Sequence, residues 1–156
     1  MSFYHLYYHI VIIVDEREKV ITSNNEQKLF NYMKGFARQK KSLIENINAA
    51  ENHIHLLLRM HPSIALSDFM RDLKVMSNKY IKENKLFSRF KRWQSGYAAF
   101  TVSESKVSVV SNYIDNQKVH HKIKTFEEEF IETLDAHNIN YNKEDPFDSR
   151  ALRAQE

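Results

Sequence analysis

The sequence predicts an α+β fold, an antiparallel four-stranded sheet with helices on one face and further helices after it. Three observations predict it. Strand-like and helix-like segments follow one another as β-α-β-β-α-β before a helical C-terminal part. The strand segments are short and rich in aromatic and β-branched residues. The helical segments carry apolar residues on one side only, as helices laid against a sheet do.

Phe3 to Val14 reads as a largely buried strand. Glu26 to Gln39 places Leu29, Phe30, Met33, Phe36 and Ala37 at helical spacing, an amphipathic helix. Ser42 to Ala50 is a second strand by alternation, and Asn52 to Met60 a third, stopped by Pro62. Ala65 to Lys82 is a second amphipathic helix, carrying Leu66, Phe69, Met70, Leu73, Met76 and Tyr80. Tyr97 to Val102 is the fourth strand, after an irregular basic connection in which Gly96 suggests a turn. Ser103 is placed to cap a third helix running to about Lys118. Thr125 and Glu128 form a capping-box pattern for a last helix to about His137. The first six elements form the ferredoxin-like split β-α-β pattern. We expect one domain over residues 1–137 and a polar tail over 138–156.

Composition narrows the function. No apolar run reaches the roughly 18 residues of a membrane span, and the N-terminus lacks a secretory pattern. Cysteine is absent, which removes disulfides, thiolate metal sites and Cys nucleophiles and fits a reducing cytoplasm. With Gly35 and Gly96 the only glycines, neither a P-loop nor a dinucleotide fingerprint can form, so no nucleotide cofactor is expected. The net charge is +3, but unevenly spread. Arg71, Lys74, Lys79, Lys82, Lys85, Arg89, Lys91 and Arg92 face only Asp72 and Glu83 in that stretch, whereas Glu127 to Asp148 is strongly acidic. Either these are two solvated faces, or the basic run binds a polyanion. Tyr80, Phe87, Phe90, Trp93 and Tyr97 interleave with it, as rings that stack on unpaired bases would. Some must belong to the core, and the sequence does not say which.

The chemistry centres on His53-Ile54-His55. On a strand His53, His55, Leu57 and Arg59 share one face, and Ile54, Leu56, Leu58 and Met60 the other. The apolar set should pack on the helices, leaving two imidazoles close enough to hold one metal ion. Two ordinary polar-face histidines would look the same. Tyr113 and Gln117, four residues apart, share a helical face. A helix across the open sheet face could offer Gln117 as a third ligand and Tyr113 as a nucleophile. Alone, each is equally a core-edge aromatic and a solvated amide.

Asn52-His53-Ile54-His55-Leu56-Leu57-Leu58 resembles the His-hydrophobic-His segment of the HUH endonuclease superfamily. Ser67-Asp68-Phe69-Met70-Arg71-Asp72-Leu73-Lys74, with Trp93-Gln94-Ser95-Gly96-Tyr97, is similar to the middle of the single-tyrosine transposases. Asn112-Tyr113-Ile114-Asp115-Asn116-Gln117, then His120-His121 and Phe126-Glu127-Glu128-Glu129-Phe130, resembles their nucleophile helix and its sequel, and His9-Ile10-Val11 their first strand. The likeness runs from Phe3 to Leu134 and favours the insertion-sequence branch over the related REP-associated branch. It implies a transposase that cleaves and rejoins single-stranded DNA at mobile-element ends through a 5′-phosphotyrosine intermediate. It further implies Tyr113 as the catalytic residue, His53, His55 and Gln117 as ligands of Mg²⁺ or Mn²⁺, a DNA hairpin as partner, and a homodimer whose nucleophile helix can act in trans. Imidazole ligands favour manganese.

Arg71, Lys74, Lys85, Arg89, Arg92 and Lys118 are the expected DNA contacts, and His120 and His121 could compete as ligands or touch phosphate. Two departures stand out. Asn52 replaces the acidic residue often found before the first histidine, and Asp15-Glu16-Arg17-Glu18-Lys19 replaces a more basic stretch. Two rival functions fit less well. A non-catalytic single-stranded nucleic-acid-binding module on this fold would carry a Gly-aromatic motif that is missing. A zinc hydrolase would want a Glu within the His pair.

Overall fold

The computed structural model describes residues 1–148, excepting the side chains of His120 and His121. The last part of the expected tail, residues 149–156, and any role of those two histidines thus lie outside the described residues. Two compact units divide the chain, Met1–Gln117 and Lys118–Glu156.

The first unit is α+β. β1 (Tyr7–Ile13), β2 (Leu43–Ala49), β3 (His53–Arg59) and β4 (Ala98–Val102) form one antiparallel sheet in the order β2-β3-β1-β4. This is the split pattern, with β1 and β3 central. β1 begins later than Phe3 because both of its partners run out at Tyr7, opposite Arg59 and Val102. Beyond that point Phe3 has no ladder to join and is 90% exposed. α1 (Glu26–Gln39) and α2 (Leu66–Glu83) cover one sheet face. Leu29, Phe30, Met33, Phe36, Phe69, Met70 and Leu73 meet Ile10, Ile12, Ile54, Leu56 and Leu58 there in one apolar core. Burial of this kind, worth about 25 cal/mol per Å² of apolar surface, is the main force holding sheet and helices together.

The basic connection after α2 is less exposed than its charge suggests. Phe87, Phe90 and Trp93 join the core, and Trp93 Nε1 donates to the buried Ser77 Oγ at 2.9 Å. Tyr80 stacks on Tyr32 with centroids 4.2 Å apart. Of the five interleaved aromatics only Tyr97 stays well exposed, so base stacking along this run has little to work with. Gly96 does turn the chain, at φ 82°.

β2 departs from simple alternation. Ile44 pairs with Leu58 and Asn46 with Leu57, so Glu45 is an extra residue in a β-bulge. The extra residue resets the parity of the strand. Ile44, Ile47 and Ala49 consequently all face the helical core, and Asn46 and Asn48 face the other way, beside Leu57 and His55.

The expected third helix is broken. Glu104–Lys106 form a 3₁₀ turn, α3 runs Val107–Asp115, and α4 (Gln117–Ile123) starts after Asn116. Ser103 does not cap it: the hydroxyl lies 3.3 Å from Ser105 Oγ, and the 3₁₀ turn intervenes. α3 lies on the second sheet face, where Ile114 packs with Leu57 and Val102.

In the second unit, α5 (Phe126–Ala136) starts at the full Thr125–Glu128 capping box. Phe130 stacks on Phe147 at 4.9 Å. Glu129 is buried on this helix, and burial, followed by repulsion from Glu132, raises its pKa from 4.5 to about 7. Folding therefore takes up a proton between pH 4.5 and 7, so this group's penalty is absent below about pH 4.5 and complete above about pH 7. Glu129→Gln should accordingly raise the melting temperature at pH 8 and leave it nearly unchanged at about pH 4, below the unfolded-state pKa, a difference thermal melts can read.

Candidate active site

β3 carries the site. Its alternation turns Ile54, Leu56, Leu58 and Met60 into the helical core and leaves His53, His55 and Leu57 on the face that α3 covers. The two imidazoles are not solvated: His53 is 0% exposed and His55 3%. Their ring centroids lie 5.0 Å apart with planes at 74°.

Each ring is held through Nδ1. His53 Nδ1 lies 2.7 Å from Asn52 Oδ1. The Asn52 amide is itself oriented, since its Nδ2 donates to Arg17 O at 3.3 Å. Its oxygen can only accept, so His53 Nδ1 carries the proton and the lone pair sits on Nε2. His55 Nδ1 lies 2.8 Å from His9 Nε2. The Nε2 atoms of His53 and His55 are buried and make no hydrogen bond. Asn52 thus supplies the acceptor that an acidic residue would, without a charge.

The segment Asp15–Arg17 explains how Arg17 O reaches Asn52. It forms a 3₁₀ turn in which Glu16 and Arg17 adopt φ of 56° and 55°. Val14 N donates to Asn52 O, and Val20 N and Ile21 N donate to Glu51 O, pinning the turn before β3.

Two asparagines of β2 fasten α3. Asn46 Nδ2 lies within 3.0 Å of Ser111 O and Ser111 Oγ and 2.8 Å from Asp115 Oδ1. Asn48 Nδ2 donates to Ile114 O at 2.9 Å and Asp115 O at 3.2 Å. Their own oxygens accept from Ile47 N and Ala49 N, which aims the NH₂ groups at the helix. α3 so docked carries Tyr113 to the histidines: its ring meets His55 edge-on at 5.7 Å and His9 at 5.9 Å. Gln117 follows, 0% exposed, with Nε2 donating to Tyr113 O at 3.3 Å. Its Oε1 is the atom of the amide suited to a cation. Among the described residues, no three His, Cys, Asp or Glu side chains are grouped to hold a metal ion.

The expected DNA contacts do not converge. Arg71 is paired with Asp68 and Asp72, both at 3.1 Å. Lys74 donates to Gln94 O and Gly96 O at 2.6 Å each, and burial lowers its pKa. Arg89 donates to Lys19 O, and Arg92 pairs with Asp15 at 2.7 Å. Lys85 is exposed at a left-handed turn, φ 50°. Lys118 falls in the second unit. A groove of about 590 Å³, not singled out from sequence, is lined by residues of both charges, among them Arg38, Lys41, Arg59 and Glu104, with Arg59 paired to Glu45. His9, Asn46 and Asn48 were also missed. Alternation along β1 puts His9 on the histidine face, but nothing in the sequence marks the bulge that turns the asparagines toward α3.

Comparison with known proteins gives a consistent picture. A family model described as IS200-like transposase matches residues 2–117, ending where the first unit ends. The ISDra2 transposase TnpA of Deinococcus radiodurans is 27% identical over 119 residues, 73% of this chain and 85% of that protein. Among solved structures, a candidate transposase from Deinococcus radiodurans R1 is similar with a TM-score of 0.57 at 24% identity, covering 74% of this chain and 93% of the other. A REP-associated tyrosine transposase bound to a REP hairpin gives 0.58 at 14%, covering 78% and 73%. These two likenesses establish a shared fold.

If the asparagines fasten α3, replacing both with Ala should loosen that helix selectively. Neutral hydrogen bonds contribute about 0.5–1.5 kcal/mol each. Asn46→Ala with Asn48→Ala should therefore speed amide exchange over Ser111–Gln117 by roughly tenfold or more, while β1 and β3 keep their protection.

Proposed function

Because the chain belongs to the IS200-like transposase family, we propose that it cleaves and rejoins single-stranded DNA at the ends of a mobile element, with Tyr113 as nucleophile. The observation that supports this most is the meeting of the Tyr113 ring with a buried histidine pair, 5.7 Å from His55, whose ring lies 5.0 Å from that of His53. No described helix is long and apolar enough to cross a membrane.

The donor set suits a divalent ion. His53 and His55 would bind through Nε2 and Gln117 through Oε1, three neutral ligands that suit Mn²⁺ better than Mg²⁺. When bound, the ion would polarise a phosphate oxygen and offset its charge. The protein's part is positioning. α3, fastened by Asn46 and Asn48, sets the Tyr113 oxygen beside the scissile phosphate. The phenol gives up its proton as it bonds to phosphorus. The bond from phosphorus to the 3′ oxygen breaks, and that oxygen leaves as a 3′-OH. The 5′ phosphate stays on Tyr113. Rejoining reverses this, and a phenol, with an ordinary pKa of about 10, leaves more readily than an alkoxide. No nucleoside triphosphate is required.

We read Tyr113 as serving the histidines of its own chain, since its ring already meets His55 there. A homodimer remains compatible with this. The substrate we infer is a hairpin-forming single strand, as the REP hairpin bound by the REP-associated relative suggests. Its phosphates would contact the 85–92 segment.

With Mn²⁺ and a 3′-labelled single-stranded element end, wild-type protein should form a covalent adduct that survives denaturing electrophoresis. Tyr113→Phe should bind the same DNA yet lose the adduct by at least about 10³-fold, and His53→Ala and His55→Ala should lose it too. An adduct of undiminished yield with Tyr113→Phe would remove Tyr113 as the nucleophile. For the DNA surface, Lys85→Ala, Arg89→Ala and Arg92→Ala together should weaken binding and lower the salt slope by about 0.7 per lost phosphate contact. Arg92→Ala alone should cost least, because Asp15 already neutralises that side chain. Unchanged binding by the triple variant would place the strand elsewhere.

A further inference from the structure

We infer that His9 is a positioning residue that fixes the tautomer of His55 and so presents His55 Nε2 as a metal ligand. The inference rests on the metal reading above. β1 and β3 pair with Val11 opposite His55, so His9, two residues away on the same face, is its diagonal neighbour. An imidazole is long enough to span that gap, and His9 Nε2 lies 2.8 Å from His55 Nδ1.

Two ring nitrogens at this separation share one proton, which belongs to one ring or the other. If His55 Nδ1 donates, Nε2 keeps its lone pair and can ligate. If His9 Nε2 donates, His55 must carry its other proton on Nε2, and ligation is blocked. His53 settles which arrangement suits a shared ion: Asn52 Oδ1 forces its proton onto Nδ1. For both rings to meet one cation with the same nitrogen, His9 must be the acceptor. The His9 ring is well held for that task. It is 7% exposed, stacks on His55 at 5.0 Å, and touches Phe100 at 6.0 Å and Tyr113 at 5.9 Å. An imidazole on the neighbouring strand here takes the place of the carboxylate or carbonyl that commonly orients a ligating histidine. Its contact with Tyr113 also means that one side chain packs against ligand and nucleophile together.

The test is Mn²⁺ titration followed by electron paramagnetic resonance on wild type, His9→Phe and His9→Gln, with ¹⁵N NMR of the imidazoles in metal-free wild type. His55 should carry its proton on Nδ1. His9→Phe keeps a ring but no acceptor and should weaken Mn²⁺ binding by about 10- to 100-fold. The Gln amide oxygen can reach the position of Nε2, so His9→Gln should recover most of the affinity. A purely structural role for His9 would instead lower the melting temperature of both variants alike and leave Mn²⁺ affinity untouched. Wild-type affinity in His9→Phe, or a proton on His55 Nε2 in wild type, overturns the inference while leaving the metal site standing. Failure of wild type itself to bind Mn²⁺ overturns the metal reading and this inference with it. Should His9→Phe not fold, the wild-type tautomer and the Gln variant decide.

Discussion

Burying two imidazoles on one sheet face obliges the protein to account for four ring nitrogens, and the rest of the site follows from how it does so. A buried polar atom without a partner is costly, and a histidine whose partners are loose can flip or change tautomer. Here the Nδ1 atoms meet Asn52 and His9, and neither acceptor stands alone. Asn52 is oriented by Arg17 O, which the left-handed residues Glu16 and Arg17 bring into place. His9 is wedged between Phe100 and Tyr113. Order in the two rings thus depends on residues from β1, the turn after it, and α3.

The second dependence runs through the bulge in β2. Without the extra residue at Glu45, a strand of strict period two could not turn Ile44 and Ile47 inward together while aiming both Asn46 and Asn48 outward. With it, the core stays filled and two amides reach α3. Those amides donate to the Ser111, Ile114 and Asp115 carbonyls near the end of the helix. A local irregularity in an outer strand therefore helps determine where Tyr113, far along the sequence, comes to rest. Packing of Ile114 against Leu57 and Val102 adds apolar burial to the same docking.

Much of this was legible in the sequence, for physical reasons. Strong periodicity located α1, α2 and β3 to within a residue or so, because one-sided burial leaves a one-sided pattern. The Thr125–Glu128 cap was legible because its two reciprocal bonds need only local residues. The His pair and Tyr113–Gln117 were legible as spacings. What stayed hidden was relational. The bulge has no composition of its own, and the break at Asn116 is marked by no Pro or Gly. Charge misled most. Counting cations from Arg71 to Arg92 could not reveal that Lys74 holds the Gln94–Gly96 carbonyls, or that Asp15 and Glu18 lie across from Arg92 and Lys91. Nor could it show that Phe87, Phe90 and Trp93 point into the core rather than toward a ligand.

The acidic 15–18 segment and the amide at Asn52 then make sense together. A carboxylate beside His53 would make the imidazole a more electron-rich ligand and add negative charge next to a polyanionic substrate. Asn52 fixes the same tautomer with no charge. Of the acids in the 15–18 segment, Asp15 pairs with Arg92 at 2.7 Å and Glu18 with Lys91 at 3.7 Å. A cation held only by two imidazoles and a carboxamide would keep nearly all of its charge for the phosphate, and no first ligand or oriented neighbour would compete for it. On the function proposed above, a neutral ligand set would leave the electrophilic strength with the ion, and geometry, through His9 and Asn52, would supply the ordering that a charged partner otherwise gives.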